Sequence, residues 1–328
     1  LKVSPTGDTW PSPMPEGEHA DDFVGRTAVE YLERQSGAQP FCLFVGFGGP
    51  HNPWDPPENW LSGYDAEQMD TWKRPTEPGP WVPEAAAAHQ RSLQDPDRHP
   101  ITEETNGRVR AAYYAKCEHA DWWFGRIFRT LEERGLMDDT LIIFWSDHGE
   151  MLGDKGLYNK TYFYEESVHI PLIVRPPSDV DCARGSVCDR LVSILDAYPL
   201  IIDAAGCDPS EWRGFGASLG PLLSNPLAPH NEAVFSESEY GGGARTMVRD
   251  DRYKMAVRSS GELLMLYDLK EDPEEEVNLA GKPGTEDVVR RMRNLLSDWL
   301  LRTQCHVMRD TSPASPEMLA QLGRATGV

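Results

Sequence analysis

At 328 residues with a formal charge of −21, the chain can bury a sizeable core but lacks the basic face that nucleic acid or an anionic membrane requires. An anionic ligand would have to be held in a locally cationic pocket, against the field of the whole molecule. The longest apolar runs, such as 141–145, have the length of buried strands and fall far short of the ~18 residues a membrane-spanning helix needs.

Six cysteines do not make a disulfide framework in a chain of this size. Cys42 and Cys117 lie in apolar patterns and read as buried thiols, while Cys182 and Cys188 flank a polar loop that a bridge could close. The chain opens without Met on a Pro-rich polar stretch, which reads as a chain entered midway and leaves the compartment open.

In chain order, residues 23–34 start acidic and stop at Gly37, the pattern of a helix. Residues 41–47 are almost wholly apolar and read as a strand buried on both faces. From 52 to about 100 the chain is rich in Pro, Trp and acidic residues without a period, a long irregular excursion. Tyr113, Cys117, Ala120, Phe124, Ile127 and Leu131 then recur at alternating spacings of four and three, one stripe of a long amphipathic helix ended by Gly135. Residues 140–146 and 170–174 are further buried strands, and 191–205 are helical. This alternation predicts an α/β fold with a largely parallel sheet flanked by helices, over residues 1–225. From 226 to 328 the pattern changes to four short strands (233–235, 246–248, 253–257 and 264–269) and a helix over 288–301. That predicts a small antiparallel sheet plus helix, followed by a polar tail able to reach a neighbouring subunit in a homo-oligomer.

Ligands of open α/β sheets bind beyond the carboxyl ends of the strands. Two of the buried strands deliver polar residues there, one as Gly48-Gly49-Pro50-His51 and the other as Ser146-Asp147-His148-Gly149. An Asp oxygen and a neutral imidazole can share a divalent cation. On the Asp147-His148 dipeptide alone, however, a turn-capping Asp and an ordinary loop His are the better reading.

The wider pattern reverses that. The stretch from Phe144 to Lys160, followed by Phe163-Tyr164-Glu165-Glu166-Ser167 and Ile170-Pro171-Leu172-Ile173-Val174, closely resembles the second half of the sulfatase family in the alkaline phosphatase superfamily. Pro50-His51-Asn52-Pro53, the helix leading to Asp138-Asp139-Thr140, and Tyr267-Asp268-Leu269 through Asn278-Leu279-Ala280 resemble the same family. The likeness runs from about Asp22 to Arg302. It implies a partial alkaline-phosphatase-like core and metal-assisted cleavage of a sulfate ester, on a small sulfate ester or a sulfated sugar. Asp147 and His148 would be ligands of a divalent cation, calcium in most of the family, with magnesium or manganese as alternatives. Lys160 and His51 would be substrate-binding and catalytic contacts to the sulfate and leaving-group oxygens.

The family's Cys/Ser-x-Pro-x-Arg, whose first residue becomes a formylglycine nucleophile, does not occur in these 328 residues. Asp21-Asp22 imitates the family's metal-binding Asp pair, but it reads as a helix start. Cys207-Asp208-Pro209-Ser210 imitates the nucleophile motif but continues with Glu211 where Arg is required. The expectation is that formylglycine belongs to a segment upstream of Leu1 and that this chain alone is a poor catalyst. Missing sheet neighbours would also leave apolar surface exposed. Two other readings stay open. One is a phosphonate monoester or phosphodiester hydrolase, favoured by His148 where many sulfatases have Asn. The other is a non-catalytic binding protein made from a shortened sulfatase fold. Trp54, Trp60, Trp72 and Trp81 could stack on a sugar or pack the excursion onto the core.

Overall fold

The computed structural model describes residues 9, 11–70, 103–207, 214–239 and 244–310. Helix α1 spans Ala20–Glu33 and opens on a capping box, in which His19 Nδ1 accepts from the Asp21 backbone N–H and Asp22 Oδ2 accepts from that of His19. Helix α2, Glu103–Glu133, is the long amphipathic helix of the sequence pattern. The two pack through Ala28, Val29 and Leu32 against Trp123, Ile127 and Leu131. They cross so closely at Gly25 that a Cβ there would lie 2.1 Å from the Trp123 ring.

The expected strand at 41–47 is extended but is not assigned as a strand, and it is buried on one face only. Phe41, Leu43, Val45 and Phe47 turn onto the α1–α2 core, while the residues between them face outward, with Phe44 78% exposed. The same alternation exposes Cys42, which is therefore not the buried thiol its apolar neighbours suggested. Cys182 and Cys188 are free thiols and form no bridge.

Strands β1 (Ile142–Trp145) and β2 (Leu172–Arg175) pair antiparallel, Ile142 opposite Arg175, whereas a largely parallel sheet was expected. The reason lies in the connection between them. Gly149 N–H donates to Ser167 O at 2.8 Å and Glu150 N–H to Glu166 O at 2.9 Å, so the loop closes on itself and returns the chain at the end of β1 where it left. Ile142 and Phe144 face α2. Ile143 faces a cluster centred on Leu200 of helix α3, Ala197–Ala204, which a Ser193–Asp196 capping box delays relative to the expected start at 191. The α/β class stands, with Ile173 left 62% exposed on the outer strand.

The C-terminal elements follow the sequence pattern closely. Strands β3 (Val234–Ser238), β4 (Arg245–Arg249), β5 (Tyr253–Arg258) and β6 (Leu263–Asp268) form one antiparallel meander. Successive side chains of a strand point to opposite faces. Val248, Met255 and Leu266 therefore meet Met292 and Leu296 of helix α4, Glu286–Asp310, on one side. Met247, Ala256 and Met265 meet Met151, Leu157, Phe163 and Tyr164 of the loop between β1 and β2 on the other. The sheet thus backs the loop that carries the predicted site.

Candidate active site

β1 ends at Trp145 and the chain turns sharply through Ser146-Asp147-His148-Gly149. Glycine is required at 149, because a Cβ there would stand 2.0 Å from the carbonyl oxygen of Glu166. Ser146 Oγ donates to His148 O at 2.7 Å and the His148 backbone N–H donates to Asp147 Oδ1 at 3.0 Å. The Asp147 carboxylate itself is open, 81% exposed.

The two histidines of the site are oriented in the same way. His51 Nδ1 lies 2.7 Å from Asn52 O and His148 Nδ1 lies 2.7 Å from Gly149 O. A carbonyl oxygen only accepts, so each Nδ1 carries a proton and, in the neutral ring, each Nε2 presents a lone pair. His148 Nε2 points toward Asp147 Oδ2, 3.4 Å away, and His51 Nε2 toward Lys160 Nζ in direct contact. The His51 and His148 rings meet edge to face with centroids 5.8 Å apart. The four residues singled out in the sequence are therefore brought together at one end of β1.

Helix α2 holds both loops. Lys116 Nζ donates to His51 O at 3.0 Å and Pro53 O at 2.9 Å, and pairs with Asp55. Asn106 Nδ2 donates to Leu152 O at 2.8 Å, and Arg110 bonds both Asn106 Oδ1 and Asp154 Oδ1. Sequence reasoning passed over these three. The available signal was a set of polar residues, Asn106 and Arg110 four apart, on the buried side of an otherwise apolar helix.

Glu150 was also missed as a site element. Its Oε1 accepts from the backbone N–H groups of Leu152, 3.2 Å, and Asn159, 2.5 Å. Burial pushes this carboxyl above its usual range, while the two backbone donors and the nearby Lys160 ammonium oppose that shift. Lys160 sits between Asn159 (φ 65°) and Thr161 (φ 93°), two non-glycine residues in the left-handed region. Such conformations cost about 1–3 kcal/mol each and persist only where surrounding bonds enforce them.

The remaining candidates separate clearly. Trp54 is 2% exposed and packs with Val109 and Tyr158, and Trp60 stacks on His119, so both serve the core; Trp72 and Trp81 lie outside the described residues. Asp21 and Asp22 stand at a helix start as expected, fully buried, and Cys207 is an exposed free thiol. Chemically, the open Asp147 carboxylate and the His148 Nε2 lone pair are an oxygen and nitrogen donor set that suits a divalent cation. Beside it, the Lys160 ammonium offers N–H donors to an anion, and His51 Nε2 would do so when protonated.

A protein-family model described as Sulfatase matches residues 3–207, and one described as N-sulphoglucosamine sulphohydrolase, C-terminal, matches residues 153–301. The chain is 26% identical over 285 residues to an arylsulfatase of Clostridium perfringens, covering 86% of this chain and 58% of that protein. It is 32% identical over 272 residues to a choline-sulfatase of Rhizobium meliloti, covering 80% and 51% respectively. The chain therefore spans between half and three-fifths of these relatives' length. Among solved structures it is similar to the phosphonate monoester hydrolase of Agrobacterium radiobacter, with a TM-score of 0.74 and 25% identity over 93% of this chain and 65% of that one.

Proposed function

This chain belongs to the sulfatase family, and from that premise we propose that it supplies the cation- and anion-gripping side of a centre that hydrolyses a sulfate ester. The observation that carries the reading is the contact of Lys160 Nζ with His51 Nε2, beside His148 and Asp147. A Lys ammonium beside an imidazole able to take a proton at Nε2 suits a sulfuryl group, and the two would stabilise the charge that develops as the ester oxygen departs. In the resting site the Lys160 ammonium donates to the His51 imidazole. With a sulfate ester in place, the ammonium would turn to the sulfuryl oxygens, and His51, once protonated at Nε2, would donate to the leaving-group oxygen.

Sulfatases use a divalent metal, and Asp147 with His148 would hold it here, as calcium or alternatively magnesium or manganese. Bound there, it would polarise the sulfuryl oxygens as a Lewis acid. The Nδ1–H bond of His148 to Gly149 O leaves Nε2 free to ligate, an orientation typical of metal-bound imidazole. The substrate class we infer is a small sulfate ester or a sulfated sugar.

The test compares turnover of 4-nitrophenyl sulfate and bis(4-nitrophenyl) phosphate by the natural protein supplied with calcium. Faster turnover of the sulfate, lost in Lys160→Ala, is the expected result. The structural likeness to a phosphonate monoester hydrolase motivates the second reading. A strong preference for the phosphodiester would establish that reading in place of the first.

A further inference from the structure

Beneath the His51 loop, from residues other than Asp147 and His148, the structure gathers a second set of metal-ligating side chains. One ring nitrogen of His19, one of His119 and one carboxylate oxygen of Asp21 lie within 4.8 Å of one another. All three residues are buried, at 7%, 1% and 1% exposure. His19 Nδ1 and Asp21 Oδ2 are 3.6 Å apart, close to the separation of two ligands on one tetrahedral zinc ion with bonds of about 2.0–2.2 Å.

Ordinary structural roles account for part of this cluster. His19 caps α1, and Asp21 accepts from the backbone N–H groups of Gly48 and Gly49, tying α1 to the strand-like run that leads to His51. They do not account for His119. Asp22 Oδ1 lies 2.7 Å from His119 Nε2, and Asp22 also accepts from Trp123 Nε1, so the carboxylate fixes His119 as the Nε2–H tautomer. His119 Nδ1 is left as a buried lone pair with no hydrogen-bond partner among the described residues. A carboxylate that holds one imidazole nitrogen and leaves the other ready is how metal-bound histidine is commonly oriented.

Charge points the same way. Asp21, Asp22 and Asp55 gather around this cluster, and Lys116, whose Nζ is committed to His51 O, Pro53 O and Asp55, is the cation placed among them. Among the described residues, three carboxylates against one ammonium leave negative charge that a divalent ion would offset.

We propose that His19, Asp21 and His119 form a structural zinc site, distinct from the Asp147–His148 position, with a water completing the shell. Both histidines would ligate through Nδ1, the His19 lone pair passing from the Asp21 backbone N–H to the ion, and Asp22 is the positioning residue of His119. The ion would lock α1, α2 and the Gly48–Gly49 turn together and so steady the loop that presents His51.

The test is zinc titration of the chelator-treated full chain, with an anomalous difference map collected at the zinc edge from crystals soaked in zinc. The expected result is a peak within bonding distance of His119 Nδ1 and Asp21. His19→Asn retains a helix-capping side chain and should weaken that zinc about tenfold or more, whereas Asp147→Asn should not. The map of the unsubstituted protein keeps the test decisive if a variant folds poorly. No peak at His119 under saturating zinc, or zinc affinity lost in Asp147→Asn and kept in His19→Asn, would overturn the proposal.

Discussion

Lys160 Nζ touches His51 Nε2 across 109 residues of chain, and helix α2 bonds the loops that carry both. Lys116 holds the His51 loop from one point of that helix, and Asn106 and Arg110 hold the Lys160 loop from another. If this pair grips a transferring sulfuryl group, Lys160→Ala should lower kcat on an aryl sulfate by about 10²–10³-fold. Steady-state kinetics with the natural protein measure this. Loss in KM alone, with kcat intact, would mean that Lys160 only collects substrate.

Glu150 is the brace for Lys160. Removing its carboxyl in Glu150→Ala takes the acceptor from the part-buried N–H groups of Leu152 and Asn159, at a cost of about 1 kcal/mol. Glu150→Gln keeps an acceptor oxygen and should be much milder. Hydrogen exchange over 150–161 should accelerate in the Ala variant and stay near the parent rate in the Gln variant. Equal acceleration in both would show that the bonds to Oε1 are not what restrains the loop.

A buried ion cluster joins the site loop to the C-terminal sheet. Lys254, with no exposed side-chain surface, stands 2.5 Å from Glu165 Oε1 and 2.8 Å from Glu275 Oε1, in directions that make these charge pairs and not well-aligned hydrogen bonds. Burial pushes the Glu165 carboxyl up, but Lys254 and Arg249 more than offset it and hold the group below its usual range. Lys254→Met should therefore destabilise the fold by about 3–5 kcal/mol, since it strands buried carboxylates, and Glu165→Gln with Glu275→Gln in the same chain should recover part of that. Urea unfolding midpoints test both halves; no recovery in the triple variant would assign the loss to packing.

Asp268 gives a pH signature. The forked bond from Arg252, 2.6–3.0 Å, holds its carboxyl below the usual range. A group depressed in the folded state contributes stability that is present above its unfolded pKa of ~3.9 and is lost as pH falls through the folded value. Asp268→Asn should thus lower Tm at pH 7, and the gap from the parent should shrink below pH ~4. A gap constant from pH 7 to pH 2 would rule out this linkage.

Much of the frame was legible in the sequence because period and composition report local burial directly. The stripe from Tyr113 to Leu131 predicted α2, and the short runs after 233 predicted the four-stranded meander, since both depend on neighbours close in sequence. Residues 41–47 misled for the same reason. An all-apolar run says that burial suits it, and only its surroundings decide whether one face or two are covered, as the exposed Phe44 and Cys42 record.

The sequence by itself determined which residues could carry chemistry, through the run from Ser146 to Lys160 and the Pro50-His51 turn. Tertiary structure alone decided how they are held. Both histidines show Nε2 because each Nδ1 bonds a carbonyl next to it in the chain, and Lys160 is aimed by Glu150 across a loop in the left-handed region. It also decided that Asp22, read with Asp21 as a mere helix start, meets His119 of a helix 97 residues away. Hydrogen bonds and charge pairs of that reach leave no period in a sequence, because their partners are chosen by packing and not by spacing.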